Sequence, residues 1–182
     1  MNRSVSSTGL VLESLSRLLA AAGLEPVAGA RAVSAAELPA ECAALLDHRD
    51  HMTTRLARHY GEPVRLSVRG ERRNGDEYAR HIVLTLERSG RAVEVGVVRV
   101  ALNLVPAAVR AEILAKAAPL GDILIRHKVL REIEPRGFVR FEPHDALLRP
   151  LATEATSCCC GRVGIILCES QPAIELLEVV RS

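Results

Sequence analysis

Residues 78–100 constrain the fold of this chain more than any other segment. Two runs of mostly aliphatic residues, 78–86 and 92–100, flank a polar segment that contains Ser89 and Gly90. Runs rich in β-branched residues that are joined by a short Gly-containing segment are typical of an antiparallel β-hairpin. A single hairpin cannot bury its apolar side chains by itself, so we expect the rest of the chain to pack around this one.

Arg80 is the unusual residue of this hairpin. Side chains alternate along a strand, so Arg80 shares a face with Ile82 and Leu84. An unpaired charge is very costly to bury in an apolar environment. Two interpretations stay open: the guanidinium reaches solvent at the end of the strand, or it lines a pocket and binds an anion. Its planar fork of donors suits a carboxylate.

The remaining periodicity predicts an α+β domain built on one antiparallel sheet. Ser34 and Glu37 have the spacing of a capping box, residues 23–32 are interpreted as a linker, and residues 71–76 as a polar turn. Helices are predicted where apolar residues recur at helical spacing, at residues 10–22, 35–46, 55–60, 106–114 and 122–130. Strands beyond the hairpin are predicted at residues 64–69, 138–142, 163–168 and 173–180, with a turn at 169–172.

Length and composition narrow the class of protein. The 182 residues suffice for one domain with a hydrophobic core, so we interpret residues 1–182 as a single domain with a helical N-terminal segment over residues 1–46. Only 2% of the residues are aromatic, which leaves few rings to stack on nucleic-acid bases. The 24 basic and 22 acidic residues nearly balance. We therefore expect neither a nucleic acid nor a membrane as a partner.

The first residues and the cysteines bear on location. Residues 1–9 are polar and the apolar residues after them are interrupted, so we expect no signal peptide and no membrane span. Five Cys, an odd number, indicate reduced thiols in a cytoplasmic protein. Three adjacent residues, Cys158, Cys159 and Cys160, cannot all face one metal in an extended chain. We expect buried or idle thiols on a loop there, and no metal site.

Five stretches, in their order and spacing, resemble the chorismate pyruvate-lyase family, which includes the 4-hydroxybenzoate synthases. They are His51-Met52-Thr53-Thr54-Arg55-Leu56, Tyr78-Ala79-Arg80-His81-Ile82-Val83-Leu84, Ala118-Pro119-Leu120-Gly121, Gly161-Arg162, and Gln171-Pro172 followed by Leu177-Glu178-Val179. The resemblance covers residues 47–182. It implies a chorismate lyase-like fold: a sheet of about six antiparallel strands, helices packed on one side, and helical flaps over an internal ligand site.

The resemblance also implies an activity and the residues that carry it. The family converts chorismate to 4-hydroxybenzoate and pyruvate without a metal or an organic cofactor, as a monomer. By the matching positions, Arg80 binds the ring carboxylate of the substrate and Glu178 is the carboxylate at the other end of the ring. Met52 and Leu120 match residues that contact the ligand through the main chain. Without the resemblance, Met52 and Leu120 would be interpreted as core residues.

Two site assignments stay open in the sequence. Glu175 competes with Glu178 for the acidic role, because the two point to opposite faces of one strand and periodicity does not choose between them. The distance from Pro172 favours Glu178, by resemblance. Arg162 is either a second anion contact or a solvated residue at the start of a strand.

The chemistry of the reaction fits these residue types. Chorismate is a dianion, so its site must supply fixed positive charge and hydrogen-bond donors. Aromatisation moves protons, and a carboxyl group between apolar residues can have its pKa raised so that it serves as an acid or base. The alternative function is a non-catalytic module that binds an aromatic acid, since the same fold occurs as the effector-sensing half of some transcription regulators. A related lyase or isomerase that makes a different hydroxybenzoate from chorismate is the third possibility.

Overall fold

The computed structural model describes residues 7–142, 145–151 and 158–182. Within these residues, one seven-stranded sheet carries five α-helices and three short 3₁₀ helices. The α-helices are α1 (Ser7–Ala22), α2 (Ala40–Leu46), α3 (Met52–Tyr60), α4 (Ala107–Ala115) and α5 (Leu120–Arg126). The strands are β1 (Arg31–Val33), β2 (Val64–Asn74), β3 (Glu77–Leu86), β4 (Ala92–Ala101), β5 (Arg131–Phe141), β6 (Cys159–Cys168) and β7 (Gln171–Arg181). The 3₁₀ helices are Ala35–Glu37, Leu102–Leu104 and Ala146–Leu151.

The sheet is antiparallel throughout, in the order β1-β5-β6-β7-β4-β3-β2. The predicted hairpin is β3 and β4, and β4 pairs with β7 near the middle of the sheet. β6 and β7 form a second hairpin whose two connecting residues, Glu169 and Ser170, both have positive φ. A two-residue connection with positive φ at both positions matches the right-handed twist of the paired strands. The second strands of the two hairpins, β4 and β7, therefore lie side by side in the centre of the sheet.

The two faces of the sheet bury different helices. On one face α1 and the 3₁₀ helix Ala146–Leu151 pack against alternate strand residues such as Val83, Val97 and Val179. On the other face α2, α3, α4 and α5 pack against the intervening residues, such as Ile82, Leu84 and Leu176. Strand side chains alternate between faces, so every strand supplies both layers. The candidate site lies on the face with α2 to α5.

The predicted fold class is confirmed: the chain is α+β with a single antiparallel sheet and helices that cover the site from one side. The structure adds a seventh strand. β1 lies where the sequence indicated a linker, and it pairs with β5 through Arg31 opposite Arg140 and Val33 opposite Phe138. Three partly exposed residues with no alternation of apolar side chains carry too little pattern to be recognised as a strand.

Several predicted boundaries were wrong for local reasons. The capping box of Ser34 and Glu37 is present, but it caps a 3₁₀ turn, and α2 begins after Pro39. A residue that precedes proline is disfavoured in a helix, which separates the two segments. The predicted turn at residues 71–76 is wrong, since β2 continues to Asn74 and leaves a two-residue turn.

β5 begins seven residues before the predicted strand, at Arg131 instead of residue 138. The register with β6 shifts between Pro135 and Gly137, and this bulge hides the alternation from the sequence. The preceding helix α5 ends at Arg126, and Lys128 has a φ of 52° that prevents the helix from continuing as predicted.

Candidate functional site

A small cavity brings the four predicted site residues together. It measures about 50 Å³ and lies between the sheet and the first turns of α3 and α5. Met52, Arg80, Leu120 and Glu178 all line it. The other lining residues are His51, Thr53, Ile82, Leu84, Glu94, Val98, Pro119, Gly121, Ile166 and Leu176. The roles of the four residues stay predictions, but their proximity is a fact of the fold.

Strand register places the charged residues at opposite ends of the cavity. Ile82, Gly96, Glu178 and Arg162 form one row across β3, β4, β7 and β6. Arg80 lies two residues along β3 from that row. With about 4.8 Å between strands and about 3.4 Å per residue, the Cα atoms of Arg80 and Glu178 are about 12 Å apart. A cation and a carboxylate therefore face one apolar space from two sides.

Gly96 keeps the floor of the cavity open. A Cβ atom at this position would lie 2.9 Å from Cγ1 of Ile82 and 3.1 Å from Oε1 of Glu94. The first distance is shorter than carbon atoms tolerate, so any side chain here would displace its neighbours. Gly96 thus gives the Glu94 side chain room to lie over the sheet beside Glu178.

Arg80 is a buried cation with unused donor capacity. It is 1% exposed, and its Nη1 has no hydrogen-bond partner among the residues that the structure describes. Burial lowers the pKa of Arg80, while Tyr78 and Glu71 raise it. The interpretation of Arg80 as a solvent-exposed strand end is therefore wrong. A buried, incompletely paired guanidinium is costly, so an anion that accepts a hydrogen bond from Nη1 would be stabilised here.

Tyr78 links Arg80 to the surface. Its hydroxyl donates a hydrogen bond of 2.7 Å to Oε2 of Glu71, whose Oε1 accepts a bond of 2.8 Å from Nζ of Lys116. Burial, followed by the hydrogen bond to Glu71, raises the pKa of Tyr78 to about 12. The phenol therefore keeps its proton at neutral pH and leaves Arg80 as the cation that faces the cavity.

Glu178 is held by Arg162. The guanidinium, 1% exposed, donates from Nε to Oε2 of Glu178 at 2.8 Å and also from Nη2 to the same oxygen. Its Nη1 donates to the backbone oxygen of His48 at 2.6 Å. The interpretation of Arg162 as a solvated residue is wrong, because it is 1% exposed, whereas its contact with a bound anion stays a prediction. It fixes Glu178 and ties the segment before α3 to the sheet.

Glu175 lies outside this arrangement. Its side chain is 22% exposed, and Oε2 is 3.1 Å from Nη1 of Arg99. Glu175 and Arg99 face each other from β7 and β4 on the opposite side of the sheet from Glu178. The structure thus places Glu178, and not Glu175, against the cavity.

Glu94 is a site residue that the sequence reasoning missed. It is 2% exposed, it lines the cavity, and its Oε2 has no hydrogen-bond partner in the described part of the chain. Burial raises the pKa of Glu94 well above the ordinary value of 4.5, and the negative charge of Glu178 raises it further, whereas Arg162 opposes the shift. The signal was available, since an acid among valines on a central strand is as unusual as Arg80 on β3.

His51 closes one end of the cavity and was also missed. Nε of Arg131 donates to its Nε2 at 2.6 Å, and its ring atoms lie 3.0 Å from the Cβ position of Gly121. Burial, with a smaller effect of Arg131, lowers the pKa of His51 to about 4, so the imidazole is neutral at pH 7. On its other side lies a surface pocket of about 380 Å³ that includes Arg49 and Arg58.

Two helix starts form the lid. Met52 and Leu120 are the first residues of α3 and α5, where backbone N–H groups lack intrahelical partners. Oγ1 of Thr53 donates to Oδ1 of Asp122 at 3.0 Å and joins the two helices over the cavity. This position is compatible with main-chain contacts to a ligand from Met52 and Leu120.

The cysteines do not contribute to the cavity. All five are free thiols. The expected burial is confirmed for Cys159 and Cys160, but these two lie in β6 and not on a loop, whereas Cys158 precedes the strand. Sγ of Cys158 and Sγ of Cys160 are 3.7 Å apart. Within residues 7–142, 145–151 and 158–182, no three His, Cys, Asp or Glu side chains are grouped so as to hold a metal ion. No helix in these ranges has the length and hydropathy to cross a membrane.

Comparison with known proteins supports the fold. No family model and no curated protein matches the sequence. The structure is similar to the crystal structure of PhnF from Mycobacterium smegmatis, with a TM-score of 0.51 and 12% sequence identity, over 72% of this chain and 64% of that chain. It is also similar to the C-terminal domain of histidine utilization repressor from Pseudomonas syringae pv. tomato, with a TM-score of 0.44 and 12% identity, over 64% and 90% of the two chains.

These findings define the class of fold. The chain has the chorismate lyase-like fold, with its antiparallel sheet and helices α2 to α5 over the face that carries the cavity. It spans less than two thirds of the length of PhnF. At 12% identity the likeness is one of fold alone, so the function has to be argued from the cavity.

Proposed function

We propose that this protein is a lyase that removes pyruvate from chorismate to give 4-hydroxybenzoate. The observation that carries the proposal is the incompletely paired, buried guanidinium of Arg80, which lines one largely apolar cavity together with two carboxyl groups. A ligand that satisfies this site has a carboxylate at one end, an apolar planar middle, and a polar group at the other end. A cyclohexadiene or benzene carboxylate with an oxygen substituent has that shape.

Arg80 binds the ring carboxylate in this proposal. Each charge-assisted hydrogen bond contributes about 1.5 to 3 kcal/mol, and exclusion of water makes the interaction stronger than it is at a surface. The N–H groups at the starts of α3 and α5 supply further donors near Met52 and Leu120. These contacts orient the ring so that its far end lies against Glu178.

Glu178 handles a proton at that far end. In the reaction, the C4–H bond of chorismate and the bond from C3 to the enolpyruvyl oxygen both break, and the ring becomes aromatic. The carboxylate of Glu178 accepts the C4 proton, and Arg162 holds it in position through two N–H donors. General base assistance of this kind contributes about 10² to 10⁴ in rate.

The lid has to open for the ligand to enter. An apolar cavity of about 150 Å³ holds one benzene molecule, and the cavity here measures about 50 Å³. Movement of α3 and α5 away from the sheet would enlarge it, and their return would exclude water from the bound dianion. The hydrogen bond between Thr53 and Asp122 makes the two helices a single lid.

The test is turnover of chorismate by the purified protein. Release of pyruvate is followed with lactate dehydrogenase and NADH, and chromatography identifies the hydroxybenzoate isomer that accumulates. Wild-type protein is expected to release pyruvate and 4-hydroxybenzoate in equal amounts, and an Arg80→Met variant to lose activity. Absence of pyruvate above the uncatalysed rate would refute the proposal.

A second candidate function is binding of an aromatic acid without turnover. The likeness in fold to PhnF is compatible with it, since the same fold occurs as the effector-sensing half of some transcription regulators. The same cavity residues would then bind a hydroxybenzoate as an effector. Saturable binding of 4-hydroxybenzoate together with unchanged chorismate would favour this function over the lyase.

A further inference from the structure

We propose that Glu94 is a catalytic acid that protonates the departing enolpyruvyl oxygen, while Glu178 accepts the C4 proton. This inference rests on the proposed lyase function and adds a residue that the resemblance does not supply. Sequence resemblance singled out one carboxylate, whereas the cavity contains two, on adjacent strands. The second carboxyl group needs an explanation, because a buried acid without a partner reduces stability.

The geometry places Glu94 beside the reacting end of the ring. Oε1 of Glu94 lies 3.1 Å from the position that a Cβ of Gly96 would occupy, and Gly96 is directly opposite Glu178 in the register of β4 and β7. Both carboxyl groups therefore flank the same bare stretch of sheet. Oε2 of Glu94 has no partner among the described residues and is free to bind a ligand oxygen.

The surrounding charges favour a protonated Glu94 next to an ionised Glu178. Arg162 donates twice to Glu178 and thereby stabilises the negative charge on that residue. Two neighbouring carboxyl groups in a buried site do not both ionise readily, so one of them retains a proton. The ionisable groups that face Glu94 are Arg80 on β3, Glu178 on β7 and His51 before α3, which line the same cavity, and Arg162 on β6, whose charge opposes the rise in its pKa.

The protons of the reaction then balance between Glu178 and Glu94. The C4–H bond breaks, its proton goes to Glu178, and its electron pair enters the ring as the C3–C4 double bond. The bond between C3 and the ether oxygen breaks with its electrons on oxygen, and that oxygen takes the proton of Glu94. The products are 4-hydroxybenzoate and the enol of pyruvate, which becomes the ketone. Transfer of one proton from Glu178 to Glu94 restores the starting state.

The test compares Glu94→Gln with Glu175→Gln. Gln has the shape of Glu and still donates a hydrogen bond, but it transfers no proton. Glu94→Gln is expected to lower kcat by about 10² to 10⁴, while the affinity for 4-hydroxybenzoate changes by less than about tenfold. Glu175→Gln, a matched substitution on the other face of the sheet, is expected to keep full activity. Thermal unfolding of both variants reports whether they fold.

Two further measurements separate an acid from a structural residue. The kcat of wild-type protein is expected to fall as pH rises and Glu94 loses its proton, and this limb of the profile should be absent from any residual activity of Glu94→Gln. Infrared spectra of the free protein should contain a carboxylic acid C=O band that Glu94→Gln lacks. The band is a readout that does not depend on turnover.

The outcomes distinguish the two proposals. Active wild-type protein with a folded Glu94→Gln variant of equal kcat would overturn the role of Glu94 and leave the lyase function intact. A wild-type infrared spectrum without the carboxylic acid band would overturn it as well. Wild-type protein that binds 4-hydroxybenzoate but releases no pyruvate would overturn the lyase function and the catalytic role of Glu94 together.

Discussion

Replacement of Arg80 by Met is expected to make the protein more stable and to abolish ligand binding. Met is similar in length and apolar, and it fills the space beneath the lid without a charge. In the free protein Arg80 is 1% exposed with Nη1 unpaired within the described residues. Arg80→Met therefore removes a desolvation cost that Tyr78 and Glu71 offset only in part in the free protein.

The magnitude follows from the contacts. An unsatisfied buried polar group costs about 1 to 3 kcal/mol, so the free energy of unfolding should rise by about 2 kcal/mol, which for a chain of this size raises Tm by about 4 to 8 °C. The loss of two charge-assisted hydrogen bonds to a carboxylate, worth about 1.5 to 3 kcal/mol each, should weaken binding of 4-hydroxybenzoate at least about 100-fold.

The assay is thermal unfolding with and without 4-hydroxybenzoate, supported by calorimetric titration. Wild-type protein should gain stability with ligand concentration, and Arg80→Met should start from a higher Tm and gain none. Arg99→Met is the control, because Arg99 lies on the next strand in surface ion pairs with Glu77 and Glu175. It should change Tm little and keep the ligand response. An Arg80→Met variant that is less stable and binds 4-hydroxybenzoate normally would contradict the argument.

Three further predictions concern other groups. Glu178→Gln should lower kcat by about 10² to 10⁴ and also lower Tm, because it weakens a buried pair with Arg162, and unchanged kcat in the pyruvate assay would contradict its role. The pKa of His51 is lowered from 6.5 to about 4 in the folded protein, so the unfolded chain binds the proton more readily. The free energy of unfolding, measured with urea, should therefore fall as the pH drops from 6.5 towards 4, and it should depend less on pH in His51→Gln. Of the five thiols, Cys158 alone is incompletely buried, so a thiol reagent should titrate one group in the native protein and five in denaturant.

Local chemistry made much of the fold predictable. The hairpin of β3 and β4 was evident from its β-branched runs, the capping box from Ser34 and Glu37, and the end of α3 from Gly61, which has a φ of 67°. These features depend on residues close together in the chain. The short strand β1 and the bulge in β5 depend on pairing with distant residues, and local pattern does not encode that pairing.

The candidate site likewise contains some features that the local sequence predicts and others that depend on the fold. Arg80 was found because an arginine breaks the apolar face of its strand, and the same reasoning applied to β4 would have found Glu94. The pairing of Arg162 with Glu178 depends on the register of β6 and β7. The contact of His51 with Arg131 joins residues 80 positions apart. Neither contact can be inferred from the sequence before the fold is known.

Arg162 connects the carboxylate of Glu178 to the segment that leads into α3. Its guanidinium donates hydrogen bonds to the carboxylate of Glu178 and to the backbone carbonyl of His48, which lies just before α3. If α3 swings outward and draws that carbonyl away, the guanidinium loses an acceptor and its hold on Glu178 changes. By reciprocity, a change in the charge on Glu178 also changes how strongly Arg162 holds the segment before α3 against the sheet. In the proposed lyase, proton transfer to Glu178 would therefore weaken this attachment at the moment when the product has to leave.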